Sequence, residues 1–140
     1  MKDYSKLILE AKKAREKSYS PYSKYKVGAA LLAKNGKIYA GTNIENAIYR
    51  GTHAEKFALD TAVFNSEREF EAIAIVSADE DPARPCGQCL QDLTEFDIDG
   101  RGSLIVIVAN LKGKIITFTL AELLPQRFGP KNLGIDVKKY

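Results

Sequence analysis

The sequence predicts an α/β fold built on a mixed sheet, and three features carry that reading. Apolar runs of strand length alternate with stretches of helical periodicity, the pattern of a sheet with helices packed on it. The first two runs are joined through Asn35-Gly36, a strong hairpin signal, so the sheet opens with an antiparallel pair. Pro21, Pro85 and Pro125 stand where periodic segments begin or end.

Taken in order, residues 4–17 read as an amphipathic helix with Tyr4, Leu7, Ile8, Ala11 and Ala14 on one face and Asp3 as its N-cap. Ser20-Pro21-Tyr22-Ser23 breaks it. Residues 26–33 form a strand-length apolar run, and residues 38–43 return as its hairpin partner. Residues 53–65 read as a second helix, 72–77 as a buried strand, and 86–96 as a third helix after Pro85. Residues 104–109 and 115–119 are further strands, separated by a turn at Lys112-Gly113, and residues 121–124 form a last short helix before Pro125. Repeats, linkers and low-complexity stretches are absent, so residues 1–140 are expected to form a single domain.

Composition narrows the functional classes. With 45% hydrophobic and 28% charged residues the chain is an ordinary globular protein. Its net charge of +3, with the longest basic cluster (Lys12, Lys13, Arg15, Lys17) on the wet face of a helix, argues against a nucleic-acid groove or a membrane patch. No apolar run approaches the ~20 residues of a membrane span. Met1-Lys2-Asp3-Tyr4 lacks the apolar core of a signal peptide. The only two cysteines, Cys86 and Cys89, are three apart, unlike the wider spacing of a disulfide framework. A cytoplasmic location follows as the expectation, with thiols reduced and free to bind metal.

The chemistry lies in Thr52-His53-Ala54-Glu55 and Pro85-Cys86-Gly87-Gln88-Cys89, both expected to open helices. Cysteines at i and i+3 in a first turn point to one side. Their thiolates can hold zinc at about 2.3 Å with an imidazole nitrogen at about 2.0 Å as third ligand, which leaves a fourth position for water and marks a catalytic site. Zinc lowers the pKa of a bound water from about 15.7 towards 7, and Glu55, two residues from His53, is placed to move its proton. Helix N-termini favour negative charge at such a mouth.

Each piece alone has a plainer reading. Cys-x-x-Cys could be a redox pair or half of a structural zinc site. Thr52-x-x-Glu55 could be a capping box. His53, the single histidine, could be an ordinary surface or core residue. Together they favour hydrolysis, because a redox pair has no use for His-x-Glu and a closed structural site would want a further ligand, for which no other Cys or His exists. His-x-Glu followed by Pro-Cys-x-x-Cys is already the known signature of zinc deaminases, so the pattern is matched here rather than deduced.

Over nearly its whole length the chain resembles the cytidine deaminase family in its short, single-domain form. The zinc motifs alone would fit many deaminases. The narrower match lies in Tyr19 to Leu32, in Gly41-Thr42-Asn43-Ile44-Glu45-Asn46-Ala47-Ile48-Tyr49, and in Leu123-Leu124-Pro125-Gln126-Arg127-Phe128-Gly129-Pro130. The resemblance implies a three-layer α-β-α architecture with a mixed five-stranded sheet, a homotetramer, and zinc-dependent deamination of cytidine and deoxycytidine in pyrimidine salvage. It implies a His53, Cys86 and Cys89 zinc site with Glu55 as proton carrier. It implies that Asn43 and Glu45 hydrogen-bond the ribose, that Tyr25 lines the pocket where the family usually places Phe, that the Ala54 amide meets the base carbonyl, and that Phe128 stacks on the base from a neighbouring subunit. No nucleic-acid partner is implied, since Glu45 beside the sugar would repel a flanking phosphate.

The chain departs from the short members in having His53 for a third Cys, Lys56 for Arg and Leu90 for Arg. A neutral imidazole in place of a thiolate removes the negative charge that such an Arg would balance. Rival readings are deamination of another aminopyrimidine nucleoside of the blasticidin type, a non-catalytic zinc- or nucleoside-binding module, and a thiol-disulfide protein.

Overall fold

A computed structural model describes residues 2–140. In chain order the elements are α1 (Ser5–Arg15), β1 (Gly28–Ala33), β2 (Ile38–Thr42), α2 (Ala54–Phe64), β3 (Phe70–Ser77), α3 (Gly87–Thr94), β4 (Ile105–Asn110), β5 (Ile115–Thr119) and α4 (Leu120–Leu123). The strands form one mixed sheet in the order β2-β1-β3-β4-β5, in which β3 and β4 run parallel and the other neighbours antiparallel. The helix connecting the parallel pair is α3.

Alternation along the strands divides the core between two faces. Ala29, Leu31 and Ala33 of β1, Ile73 and Ile75 of β3, and Val106 and Val108 of β4 pack with α2, α3 and α4. Ala30 of β1, Ala72, Ala74 and Val76 of β3, and Ile107 and Ala109 of β4 pack under α1 through Leu7 and Ala11. The architecture is therefore three-layered α-β-α, as expected. α1 lies very close to the sheet. A Cβ on Gly28 would stand 1.9 Å from the Ala11 carbonyl oxygen, so only glycine fits there.

Element boundaries shift for local reasons. Tyr4, not Asp3, occupies the N-cap position of α1, although the Asp3 carboxylate still accepts the Ser5 amide at 2.8 Å. β1 begins at Gly28 rather than residue 26, because the Val27 amide is taken by the Asn43 side chain and the Val27 carbonyl by Thr42 Oγ1. In the hairpin turn Gly36 alone adopts positive φ, +89°, while the Asn35 side chain accepts the Lys37 amide. Two 3-10 turns unforeseen in the sequence, Pro130–Leu133 and Val137–Lys139, follow α4. Among the described residues no helix is long and apolar enough to cross a membrane.

Candidate active site

α2 and α3 lie on the same face of the sheet, and their N-termini converge. His53 is the N-cap residue of α2 and Cys86 that of α3, both in extended conformation. His53 Nδ1 lies 3.5 Å from Cys86 Sγ and 3.4 Å from Cys89 Sγ. An N and an S ligand at about 2.0 and 2.3 Å around a tetrahedral zinc stand about 3.5 Å apart, so His53 already holds that spacing to both sulfurs. The Cys89 amide points to Cys86 Sγ at 3.4 Å, adding the helix end's positive character to that sulfur. Among the described residues no fourth Cys, His or carboxylate joins the group, which leaves it open on one side.

Glu55 does not close a capping box. The N-cap position belongs to His53, and no side chain caps α2. The Glu55 side chain instead turns inward and is 6% exposed, on the helix face shared by Ala58, Leu59 and Ala62. Burial raises its pKa, against the opposing influence of the Cys89 thiol and His53. Burial and the nearby Glu55 carboxylate in turn push the Cys89 thiol up. Burial and the carboxylate thus oppose ionisation of the Cys89 thiol. A divalent cation at the donors would relieve that opposition, since coordination deprotonates a thiol outright.

A cavity of about 450 Å³ opens over this group, within the range of small-molecule sites. Buried Ala54, Glu55 and Ile75 contribute to its lining, and Tyr22, Glu45 and Tyr49 contribute more exposed walls. The segment holding Asn43 and Glu45 is positioned beside His53 by short bridges, Tyr19 to Ile44 in parallel and Ile44 to Thr52 antiparallel.

Asn43 and Glu45 differ in what they have left to offer a ligand. Asn43 Oδ1 accepts the Val27 amide at 3.0 Å and the Ser18 hydroxyl at 2.6 Å, and Nδ2 donates to the Tyr25 carbonyl at 2.7 Å. Asn43 is therefore chiefly a brace, with one N–H free. Glu45 Oε1 accepts the Tyr22 and Ser23 amides, each at 3.1 Å, and the Ser23 side chain, with these amides, holds its carboxyl below the usual range. Both backbone amides fall on Oε1, and Glu45 lines the cavity, so its carboxylate keeps capacity to accept a hydroxyl.

The remaining expected residues are distributed unevenly. Tyr25 lines the cavity, and its hydroxyl donates to Asp79, a partner with no counterpart in the sequence reading. Phe128 does not line the chain's own cavity. The residue is 59% exposed, and its carbonyl accepts a hydrogen bond from Gln91 Nε2 at 2.7 Å. Lys56 pairs with Asp60 at 2.5 Å, and Leu90 is buried in the core beneath α3. Sequence reasoning also missed Arg84 and Tyr22, which line the cavity from loops that carry no periodic signal.

Residues 1–101 match the family model described as the cytidine and deoxycytidylate deaminase zinc-binding region. A cytidine deaminase of Sporosarcina psychrophila is 50% identical over 133 residues, covering 94% of this chain and 96% of the relative. The chain belongs to the cytidine deaminase family. Another member, from Halalkalibacterium halodurans, is 43% identical over 134 residues, 94% of this chain and 98% of the relative. The crystal structure of the family member from Burkholderia pseudomallei superposes with a TM-score of 0.84 at 42% identity, covering 91% of this chain and all of that one. The family's zinc-binding region and the donor chemistry agree: an imidazole and two thiols, open on one side, fit Zn2+.

Proposed function

We propose that this chain deaminates cytidine and deoxycytidine hydrolytically, giving uridine or deoxyuridine and ammonia, as a single domain working in the cytoplasm in pyrimidine salvage. One observation carries the reading. Glu55 is a buried carboxyl on the first turn of α2, beside the His53, Cys86 and Cys89 donors and on the wall of a nucleoside-sized cavity. The names of the relatives support the same reaction and the same substrate class.

In this reading His53, Cys86 and Cys89 hold Zn2+, which supplies a Lewis acid that brings a water's pKa from about 15.7 towards 7. Glu55 takes a proton from the attacking water and gives it to the ring nitrogen beside the amino-bearing carbon while the water oxygen bonds to that carbon. It then takes the remaining proton of that oxygen and delivers it to the amino group, so that the carbonyl forms as the C–N bond breaks and ammonia leaves. Burial suits Glu55 to this exchange, because a carboxyl with a raised pKa both gains and gives protons nearer neutrality. The Glu45 carboxylate accepts a ribose hydroxyl, the remaining Asn43 N–H reaches the sugar, the Ala54 amide meets the base carbonyl, and Tyr25 walls the base. Ala54 opens α2, where an amide has no partner within the helix. The resemblance to the short members supports a homotetramer in which Phe128 completes a neighbour's site, and the exposure of the residue is what that role requires.

The test is release of ammonia and uridine from cytidine by zinc-loaded protein, with Glu55→Gln alongside. The variant should keep stoichiometric zinc and lose about 10²- to 10⁴-fold in turnover. A folded, zinc-loaded wild type that releases no ammonia would remove the reading.

A further inference from the structure

We infer that the hydrogen bond from the Tyr25 hydroxyl to the Asp79 carboxylate is a clasp, joining the sugar side of the cavity to the loop that carries Cys86 and making both residues positioning residues for substrate binding. The inference rests on the nucleoside reading of the cavity given above. The bond links positions 54 apart in sequence.

The two segments it joins are otherwise held from opposite sides. Residues 21–26 are exposed throughout and hang on the sugar residues, through Asn43 Nδ2 to the Tyr25 carbonyl and through the Tyr22 and Ser23 amides to Glu45. Residues 78–86, which run from the end of β3 to Cys86, are fastened on their other flank. Asn110 Nδ2 donates to the Glu80 carbonyl at 2.9 Å, Lys114 pairs with Asp81 at 3.1 Å, and the Arg84 guanidinium stands 5.4 Å from the Phe118 ring centre. Among the described residues, Tyr25 to Asp79 is the only hydrogen bond between the two segments.

Its chemistry suits a standing contact. Burial and Asp79 push the Tyr25 hydroxyl up to about 12, and the same bond holds Asp79 below the usual carboxylate range. At neutral pH the phenol is a protonated donor and the carboxylate an ionised acceptor, the stronger class of hydrogen bond. Tyr25→Phe removes the hydroxyl and keeps the ring.

With the clasp closed, Glu45 and the Tyr25 ring stand at a fixed distance from the loop of Cys86, and a nucleoside spanning the two meets a preset gap. Without it the exposed segment must be ordered as the nucleoside binds, which weakens binding more than chemistry. Steady-state kinetics on zinc-loaded Tyr25→Phe, Asp79→Ala, Asp79→Asn and the Tyr25→Phe/Asp79→Ala double variant test this. Tyr25→Phe and Asp79→Ala should each raise KM for cytidine about tenfold while kcat falls less than about threefold. The double variant should be no worse than either single one, and Asp79→Asn, which keeps an acceptor oxygen, should recover part of the loss. A wild-type KM in Tyr25→Phe, or single effects that multiply in the double variant, overturns the clasp. A wild type inert towards cytidine overturns the proposed function instead. The clasp is then judged by zinc release to a chromogenic chelator, faster to the same extent in the two single variants and the double one if the clasp stands, unchanged if it does not.

Discussion

The two faces of the sheet are made from alternate residues of the same strands, yet one is inert and the other carries the chemistry. Under α1 the contacts are Ala30, Ala72, Ala74 and Ala11 with Leu7, Val76 and Ile107, all aliphatic, with Tyr4 packed at the edge and its hydroxyl donated to Glu71. α1 crosses the sheet so closely that it seals it. On the other face α2 and α3 also bury aliphatic residues, but both begin over the sheet, and Glu55 and Cys89 are buried at those beginnings. A helix that lies along a sheet gives packing. A helix that starts on it gives unpaired amides, a positive end and a place for buried acids and thiols.

If the faces differ as described, substitutions should separate stability from activity. The largest effect should come from Gly28→Val, which drives a side chain into the Ala11 carbonyl and should destabilise by at least about 3 kcal/mol, read as loss of soluble protein or of a cooperative melting transition. Ile107→Ala, a truncation under α1, should cost about 2–5 kcal/mol in denaturant unfolding with kcat unaltered at a temperature where the variant stays folded. A fall in kcat there would break the division between faces. The smallest effect on folding should come from Cys86→Ala. Its sulfur is exposed and outside the core, so zinc and activity should vanish while far-UV circular dichroism stays as in the wild type. Unfolding of that variant would mean that the metal site holds the open face together.

Much of this division was legible beforehand. The 3.6-residue spacing of Leu7, Ala11 and Ala14 marked α1, β1, β3 and β4 announced themselves as apolar runs, and β2 and β5 followed from the turns at Asn35-Gly36 and Lys112-Gly113. The donor triad was legible because its residue types and spacing are chemical rather than conformational. Glu55 shows where periodicity stops helping. It occupies the buried face of α2, between Ala54 and Ala58, where polarity alone would turn it to solvent. Asp79 was illegible for another reason. It sits in the run Asp79-Glu80-Asp81, which reads as a solvated loop, and its partner is 54 residues away. Nor could the sequence reveal that Asn43 spends most of its amide on the backbone of residues 25–27, since those bonds exist only once the loop is folded.

The tail after α4 is fastened most deeply at Arg127. Arg127 and Asp97 form an ion pair at 3.1 Å with side chains 9% and 6% exposed, and the guanidinium also donates to the carbonyls of Gly100 and Leu124. Opening the chain from its C-terminus therefore proceeds in two stages. Residues beyond Gly129 detach by breaking two short 3-10 turns and exposed links, Lys131 to the Asp99 carbonyl, Lys138 to Glu69 and Arg68 to the Tyr140 carbonyl, and by uncovering Val137, a local opening of lower free energy. Releasing Phe128 together with residues 124–127 would leave a buried carboxylate unpaired, so that step belongs with the slow, high-energy openings of the core rather than with the fraying of an end.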